Sequence, residues 1–148
     1  MTAMKSKTIP AAVARNPLFR KGLKLRKSVI GSEYVERRLA GADQYSWPME
    51  EITTAFAWGM VWSRPGLSCK TRSFLNLAML TAMNMRIELK THIKGALRNG
   101  LTRMEVAETL LHCAVYCGFP KAIDGLRIMQ EAFGELDAET RQGRKRRR

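Results

Sequence analysis

The amino-acid sequence predicts an all-α protein, a single-domain bundle of five or six helices. Glycine and proline divide the chain into segments with the apolar spacing of helices, from Pro17 through Pro65-Gly66 to Gly118. The alternation of apolar and polar residues that is typical of strands is nearly absent. Short connections between the segments, in a chain of 148 residues, favour one bundle over several domains.

The first half of the chain predicts an arm and two helices. Residues 1–17 are predicted to be a flexible basic arm, followed by a short amphipathic helix that ends near Gly31. Its apolar residues are Leu18, Leu23, Leu25, Val29 and Ile30. The next helix begins at Trp47-Pro48, since proline suits the first helical position, and it places Ile52, Phe56 and Gly59 on one side. The turn Arg64-Pro65-Gly66-Leu67 ends it.

The second half predicts a buried helix followed by an amphipathic one. Between Thr71 and Met85 apolar residues cover nearly every face, so this helix is expected to be central and buried. Residues 86–99 instead carry one apolar stripe, and Gly100 stops the helix. The stripe consists of Leu89, Ile93, Ala96 and Leu97.

Two further helices complete the predicted bundle. Thr102 and Glu105 have the spacing of a capping box, which begins a helix with a core face at Val106, Leu110, Cys113 and Cys117. Gly118-Phe119-Pro120 separates it from the last helix, which is expected to run to about Leu136. The predicted division is therefore an arm at 1–17, a helical domain at 18–137 and a tail at 138–148.

The net charge of +13 lies at the two ends of the chain. Residues 1–32 contain eight basic side chains and no acidic one, and residues 139–148 contain six basic side chains and one acidic one. The body between them is neutral, and neither zinc-finger spacing nor an RNA-binding aromatic signature is present. We therefore expect a solvated, disordered basic tail rather than specific nucleic-acid binding, with nonspecific attraction to polyanions as the alternative.

The cysteines and the hydropathy indicate the compartment. Cys113 and Cys117 are four residues apart in a helical pattern, and an odd total of three cysteines favours reduced thiols and a cytoplasmic protein. No apolar run approaches the roughly 18 residues of a membrane-spanning helix, so no membrane partner is expected. The basic, acid-free N-terminal segment also fits an organellar targeting peptide, and this alternative stays open.

One of the two histidines lies in a polar row beside an apolar stripe. Helical spacing aligns Glu88, His92, Gly95 and Asn99 along the border of the Leu89 stripe. A carboxylate and an imidazole four residues apart can share a hydrogen bond that orients the ring and favours its charged form. Gly95 leaves room for a helix or a ligand to approach the ring. The alternative is an ordinary surface pair.

The other histidine and the familiar motifs point to no further site. His112 lies on the face away from the core and is expected to be exposed or at an interface. The sequence has no HExxH motif, no Walker motif and no Gly-x-Gly-x-x-Gly fingerprint, so no metal or cofactor site is expected from motifs.

Several motifs in order resemble the carboxymuconolactone decarboxylase family. They are Ala57-Trp58-Gly59-Met60-Val61-Trp62-Ser63-Arg64-Pro65-Gly66-Leu67, Thr71-Arg72-Ser73, Glu88-Leu89-x-x-His92, Ala96-x-x-Asn99-Gly100 and Tyr116-x-Gly118-x-Pro120. The resemblance implies an alkylhydroperoxidase D-like helical fold, a homo-oligomer of three or six subunits, and no cofactor. It also implies decarboxylation of 4-carboxymuconolactone to β-ketoadipate enol-lactone in aromatic-acid catabolism.

A related branch of this fold reduces peroxides with a Cys-x-x-Cys pair before its histidine. Carried onto His92, this pattern falls on Met85 and Glu88, and neither is a cysteine. Peroxide reduction needs a reactive thiolate and a resolving thiol, so that chemistry is not expected here.

The resemblance implies a site for a carboxylated lactone. Loss of carbon dioxide sends its electrons through the ring double bond onto the lactone carbonyl, so the substrate is its own electron sink. We hypothesise that His92 then protonates the ring carbon and that Glu88 orients the imidazole and raises its basicity. Arg64 and Arg72 are candidates for binding the substrate's negative charges. Trp58 and Tyr116 are candidates for the pocket wall, with core packing or a subunit interface as the alternative.

Two other functions are compatible with the sequence. The same fold and the His92 site would also serve another lactone or a β-keto acid. Alternatively, the protein would be a non-catalytic helical assembly module whose basic ends bind an acidic partner.

Overall fold

Helices form nearly all of the described chain, which confirms the predicted all-α class. The computed structural model describes residues 9–146, and no strand occurs in this range. The helices are α1 (Ala11–Arg15), α2 (Pro17–Ile30), α3 (Ser32–Gly41), α4 (Trp47–Ile52), α5 (Cys69–Ala82), α6 (Arg86–Arg98), α7 (Arg103–Cys117) and α8 (Phe119–Arg146). A π-helical segment, Thr53–Trp62, continues α4. The described residues divide into two compact units, residues 9–68 and residues 69–146. Within 9–146 we find no helix with the length and apolarity that a membrane crossing requires.

Several helices begin and end where the sequence predicts. Asn16 accepts hydrogen bonds from the first backbone amides of α2, and Pro17 occupies the first helical position. The capping box of α7 is formed: Thr102 accepts from the Glu105 amide at 3.0 Å, and Glu105 accepts from the Thr102 amide at 2.7 Å. Gly100, at φ +90°, follows α6 in the left-handed region that favours glycine.

In the first unit, α2 packs backbone against backbone on the π-helical segment. Gly22 and Gly59 permit this approach, because a Cβ on Gly22 would overlap the carbonyl oxygen of Thr54. The buried residues of α4 and of the π-helical segment that continues it are Glu50, Thr54, Trp58 and Gly59. Ile52 and Phe56 are exposed in this chain, so the expectation that they share the side of Gly59 is wrong. The burial of Glu50 and Thr54 explains the difference, since both contact Arg26 of α2.

Those partners form a buried network around Glu50. Arg26 is only 4% exposed and pairs with Glu50 at 2.9 Å while donating to Thr54 Oγ1 at 2.8 Å. Arg38 pairs with the other carboxylate oxygen of Glu50 at 2.5 Å. A buried charge needs such partners, because an unpaired one would cost several kcal/mol. The network therefore fixes α2 and α3 against α4.

In the second unit, α5, α6, α7 and α8 surround one apolar core. Its fully buried members include Leu77, Leu89, Ile93, Val106, Leu110 and Ile128. This cluster confirms the predicted stripe of α6, and it confirms that of α7 at Val106 and Leu110. Cys113 is also buried, whereas Cys117 is half-buried. The predicted burial of α5 on every face is wrong, since Leu75 and Met79, and Met83 directly after the helix, are about half exposed in this chain. Within the second unit α5 packs against α6, α7 and α8, which lie on its other side.

The last helix extends to Arg146, so its expected end near Leu136 is wrong. Lys90 and Lys94 of α6 hold this extension through ion pairs with Glu131, Glu135 and Glu139 of α8. Good helix formers after Leu136 and the absence of proline allow the helix to continue. Helix α1 lies within the predicted arm at 1–17, and α8 covers residues 138–146 of the predicted tail at 138–148. The division into arm, domain and tail stays a prediction, and residues 1–8 and 147–148 lie outside the described range.

Candidate active site

The turn between α5 and α6 brings His92 next to α5. Asn84 adopts φ 57°, a left-handed conformation that asparagine tolerates, and the Met85 amide donates to the Leu80 carbonyl at 2.9 Å. This closes α5 and sends α6 back along it. Leu77 of α5 and Ile93 of α6 are fully buried in the shared core. The neighbouring positions Asn76 and His92 are thereby fixed at the edge of that core.

Asn76 contacts the imidazole of His92. Its side-chain nitrogen Nδ2 lies 3.3 Å from Nδ1 of the ring. This is the hydrogen bond that the sequence assigned to Glu88. Asn76 was missed because a lone asparagine in an apolar helix shows no partner. The available signal was its position four residues after Arg72, on the same side of the helix.

Burial decides the charge of His92. The ring is largely buried, and burial lowers the pKa of His92 to about 4, while the negative charge of Glu88 offsets only part of this effect. Glu88 itself is exposed and acts on the ring through its charge. His92 is therefore neutral at neutral pH in the unliganded protein: Glu88 raises the pKa of His92 as predicted, but burial lowers it by more.

The two candidate arginines lie in different units. Arg72 is half-buried in the first turns of α5, one helical turn before Asn76. It therefore faces the same side of α5 as the residue that contacts His92. Arg64 follows the π-helical segment of the first unit, where it is exposed and its amide donates to the Val61 carbonyl at 3.2 Å. Charge binding by these arginines stays a prediction.

The aromatic candidates have different surroundings. Trp58 is 4% exposed and packs in the core of the first unit, with its ring 4.6 Å from that of Trp62. Tyr116 is 75% exposed on α7, and its ring lies 4.8 Å from that of His112. The expected exposure of His112 is confirmed. A role of Trp58 or Tyr116 in the pocket wall stays a prediction.

Comparison with known proteins identifies the family of this chain and its type of reaction. The model of the carboxymuconolactone decarboxylase family matches residues 48–131, which is more than half of the chain. The chain belongs to the carboxymuconolactone decarboxylase family. A 4-carboxymuconolactone decarboxylase of Acinetobacter baylyi is 36% identical over 118 residues, covering 80% of this chain and 88% of the relative. A nitrosuccinic acid decarboxylase of Metarhizium robertsii is 44% identical over 119 residues, covering 80% and 83%. Both named relatives are decarboxylases, and this chain is a carboxy-lyase.

None of the three cysteines of this carboxy-lyase lies on the helix that contains His92. Cys113 and Cys117 are both on α7, whereas His92 is on α6. The pKa of Cys113 is raised, first by burial and then by the neighbouring Cys117. Such a thiol is poorly suited to form a reactive thiolate. Across residues 9–146 no cluster of three or more His, Cys, Asp or Glu side chains has the arrangement of a metal site.

For a member of this family, the arrangement on α5 and α6 offers an imidazole in a partly dry position. Its Nδ1 has a fixed neighbour, and Arg72 lies one turn away on the same side of α5. Low local polarity strengthens both hydrogen bonding and charge interactions with a bound anion. An imidazole and a guanidinium are the groups that proton transfer and carboxylate binding generally require.

Proposed function

We propose that this carboxy-lyase acts on a small dicarboxylic acid whose own electron-withdrawing group accepts the electron pair left by carbon dioxide. The single observation that supports this most strongly is the buried His92, held by Asn76, in a chain of the decarboxylase family. The favoured substrate is 4-carboxymuconolactone, with β-ketoadipate enol-lactone as the product. Participation in aromatic-acid catabolism and a cytoplasmic location are parts of the same proposal.

The substrates named for the two relatives share one chemical feature. In 4-carboxymuconolactone, the departing carboxylate is joined through a ring double bond to the lactone carbonyl, so decarboxylation gives a dienolate. In nitrosuccinic acid, a carboxyl and a nitro group share one carbon, so decarboxylation there would give a nitronate. In both molecules the new negative charge moves onto oxygen, and a second carboxylate remains. An enzyme that acts on either substrate must stabilise the resulting oxyanion and add a proton to a carbon atom of the product.

His92 has to gain a proton before it can give one. The neutral ring is a very weak acid, but an anionic substrate bound beside it favours the imidazolium form and raises its pKa. The imidazolium then transfers its Nε2 proton to the carbanion carbon, and the N–H electron pair stays on the nitrogen. This returns a neutral ring. General-acid catalysis of this kind contributes a factor of about a hundred to ten thousand in rate.

Arg72, which lies on the same side of α5 as Asn76, supplies the candidate positive charge beside His92, and Arg64 stays a candidate from the sequence alone. A guanidinium binds a carboxylate through two parallel hydrogen bonds and stays charged at every working pH. Its favoured partner is the carboxylate that remains, because a firm grip on the departing one would stabilise the ground state. Replacing Arg72 by lysine tests this. A two-pronged contact predicts a large rise in KM, whereas a role of charge alone predicts near-normal kinetics.

The second candidate substrate is nitrosuccinic acid, favoured by the higher identity of 44% to the relative of that name. A carbon dioxide release assay discriminates the two candidate substrates when each acid is supplied separately to the purified protein. We expect turnover of 4-carboxymuconolactone, loss of turnover in His92→Ala, and normal turnover in the matched control His112→Ala. If the protein turned over nitrosuccinic acid and not 4-carboxymuconolactone, nitrosuccinic acid would become the proposed substrate. A folded protein that is inactive on both, or a fully active His92→Ala variant, would refute the proposed function.

We also infer that copies of this chain assemble, as the family resemblance implies. The supporting feature is the exposed apolar face of α5, formed by Leu75, Met79 and Met83. Light scattering after size-exclusion chromatography should give three or six subunits. Met79→Asp should dissociate the subunits, whereas replacing the exposed Lys24 of α2 by aspartate should not. A wild-type monomer at micromolar concentration would contradict this inference.

A further inference from the structure

His92 has two ring nitrogens, and its neighbour on α5 decides which of them carries the proton. We propose that Asn76 is a positioning residue: its amide group donates a hydrogen bond to Nδ1 of His92 and so keeps the proton of the neutral ring on Nε2. The assignment of that proton to the reaction rests on the proposed function. The assignment of the proton to Nε2 rests on the contact itself.

With the Asn76 amide oriented as it is in the structure, the contact allows one proton arrangement of the neutral ring. The Asn76 nitrogen lies 3.3 Å from Nδ1, and an amide nitrogen donates but does not accept. Nδ1 must therefore offer its lone pair. A neutral imidazole has a single N–H, which then lies on Nε2. The burial that keeps the ring neutral at neutral pH makes this the prevailing form in the unliganded protein.

Packing holds the pair in register. Leu77 follows Asn76 and Ile93 follows His92, and both are fully buried in one core cluster. A shift of Asn76 relative to His92 would therefore have to move core side chains as well. Glu88 cannot provide the same restraint, because it is exposed and influences the ring through its charge.

An asparagine also suits the charged ring. When an anionic substrate drives proton uptake, the second proton adds to Nδ1, which now must donate. A half-turn of the Asn76 amide replaces its nitrogen with its oxygen, which accepts that bond. After Nε2 gives its proton to carbon, the ring is neutral with its proton on Nδ1. Exchange with water returns the proton to Nε2 while the amide turns back.

The test reads the proton positions without any substrate. The chain has two histidines, so His112→Gln leaves His92 as the only one. In the ¹⁵N-labelled protein at neutral pH we expect a pyridine-like shift for Nδ1 and a pyrrole-like shift for Nε2. In Asn76→Asp the carboxylate accepts from Nδ1–H, so Nδ1 should change to a pyrrole-like shift. In Asn76→Ala both neutral forms should coexist, and kcat should fall about tenfold with KM nearly unchanged.

Asn99→Ala is the matched control. The Asn99 amide also bonds to α5, but it reaches Ser73 Oγ at 2.9 Å. Its loss should leave the His92 nitrogen shifts and kcat as in the wild type. A protonated Nδ1 in the neutral wild-type ring would overturn the proposal, as would unchanged shifts and kcat in Asn76→Ala. The expected shifts in a protein that decarboxylates neither acid would uphold the positioning role of Asn76 while refuting the proposed function.

Discussion

Lowering the pH from about 7 to about 5 tests how strongly the fold keeps His92 neutral. Burial lowers the pKa of His92 to about 4 in the folded chain, whereas an unburied histidine has a pKa near 6.5. Between these values the unfolded chain binds a proton that the folded chain does not bind. The free energy of unfolding therefore falls as the pH falls through this window, and the contribution is fully present above about 6.5.

The magnitude follows from the two pKa values. Each pKa unit corresponds to about 1.4 kcal/mol, so the full difference is about 3 kcal/mol. At about pH 5, where the folded ring is still neutral and the unfolded one is charged, about 2 kcal/mol of this has been lost. That is a large part of the stability of an ordinary small protein.

Urea unfolding followed by far-ultraviolet circular dichroism measures this effect at a series of pH values. Other groups titrate in the same range, so the informative quantity is the difference between the wild type and His92→Gln, which lacks the titrating ring. The variant should lose about 2 kcal/mol less than the wild type between pH 7 and pH 5. The exposed His112 provides the control, and His112→Gln should keep the wild-type profile.

The variant Glu88→Gln provides a second test of the same effect, because the Glu88 charge raises the pKa of His92. Without that charge the pKa of His92 should fall further, so the loss of stability should continue to a lower pH than in the wild type. Parallel stability profiles of the wild type and His92→Gln would mean that His92 is not held neutral by burial. The same result would remove the basis for substrate-driven proton uptake.

Three further predictions concern the rest of the molecule. In Gly22→Ala the new methyl group would overlap a backbone carbonyl, so the free energy of unfolding should fall by about 3 kcal/mol or more. Gly41→Ala, where the methyl group meets open space, should be neutral or slightly stabilising. Urea titrations measure both. Glu50→Gln leaves a buried arginine without its carboxylate and should cost about 3 to 5 kcal/mol, against at most about 1 kcal/mol for the exposed partner in Glu36→Gln. Equal losses from these two variants would rule out a buried ion pair. Deleting residues 139–148 should abolish salt-sensitive retention on immobilised heparin and leave kcat intact, and loss of turnover would show that the tail is not peripheral.

Local interactions explain which features were predictable. The Thr102 and Glu105 capping box and the stop at Gly100 depend on a few neighbouring residues, so the sequence shows them directly. The apolar stripe of α6 is visible for the same reason, because helical spacing alone determines it. The family resemblance followed from ordered motifs and is confirmed by the match to residues 48–131.

Longer-range contacts explain the features that were missed. Residues 53–62 form a π-helical segment, and their buried side is set by Arg26, far away in the chain. Beyond Leu136, α8 gains an ion pair between Glu139 and Lys94 of α6, a contact that the sequence of α8 alone does not show. The exposed face of α5 could not be predicted from its composition, because apolar residues on every face do not say which face has a neighbour.

The composition and spacing of the residues decide that this chain is helical, where most helices begin, and that one histidine lies beside an apolar stripe. These properties depend on neighbours within a turn or two. Folding decides the rest of the site: it turns α6 back onto α5, puts Asn76 rather than Glu88 on Nδ1, and removes enough water to keep His92 neutral. Proton position and charge at one ring depend on groups 16 residues apart in the chain and on the local polarity, and only the packed helices create both.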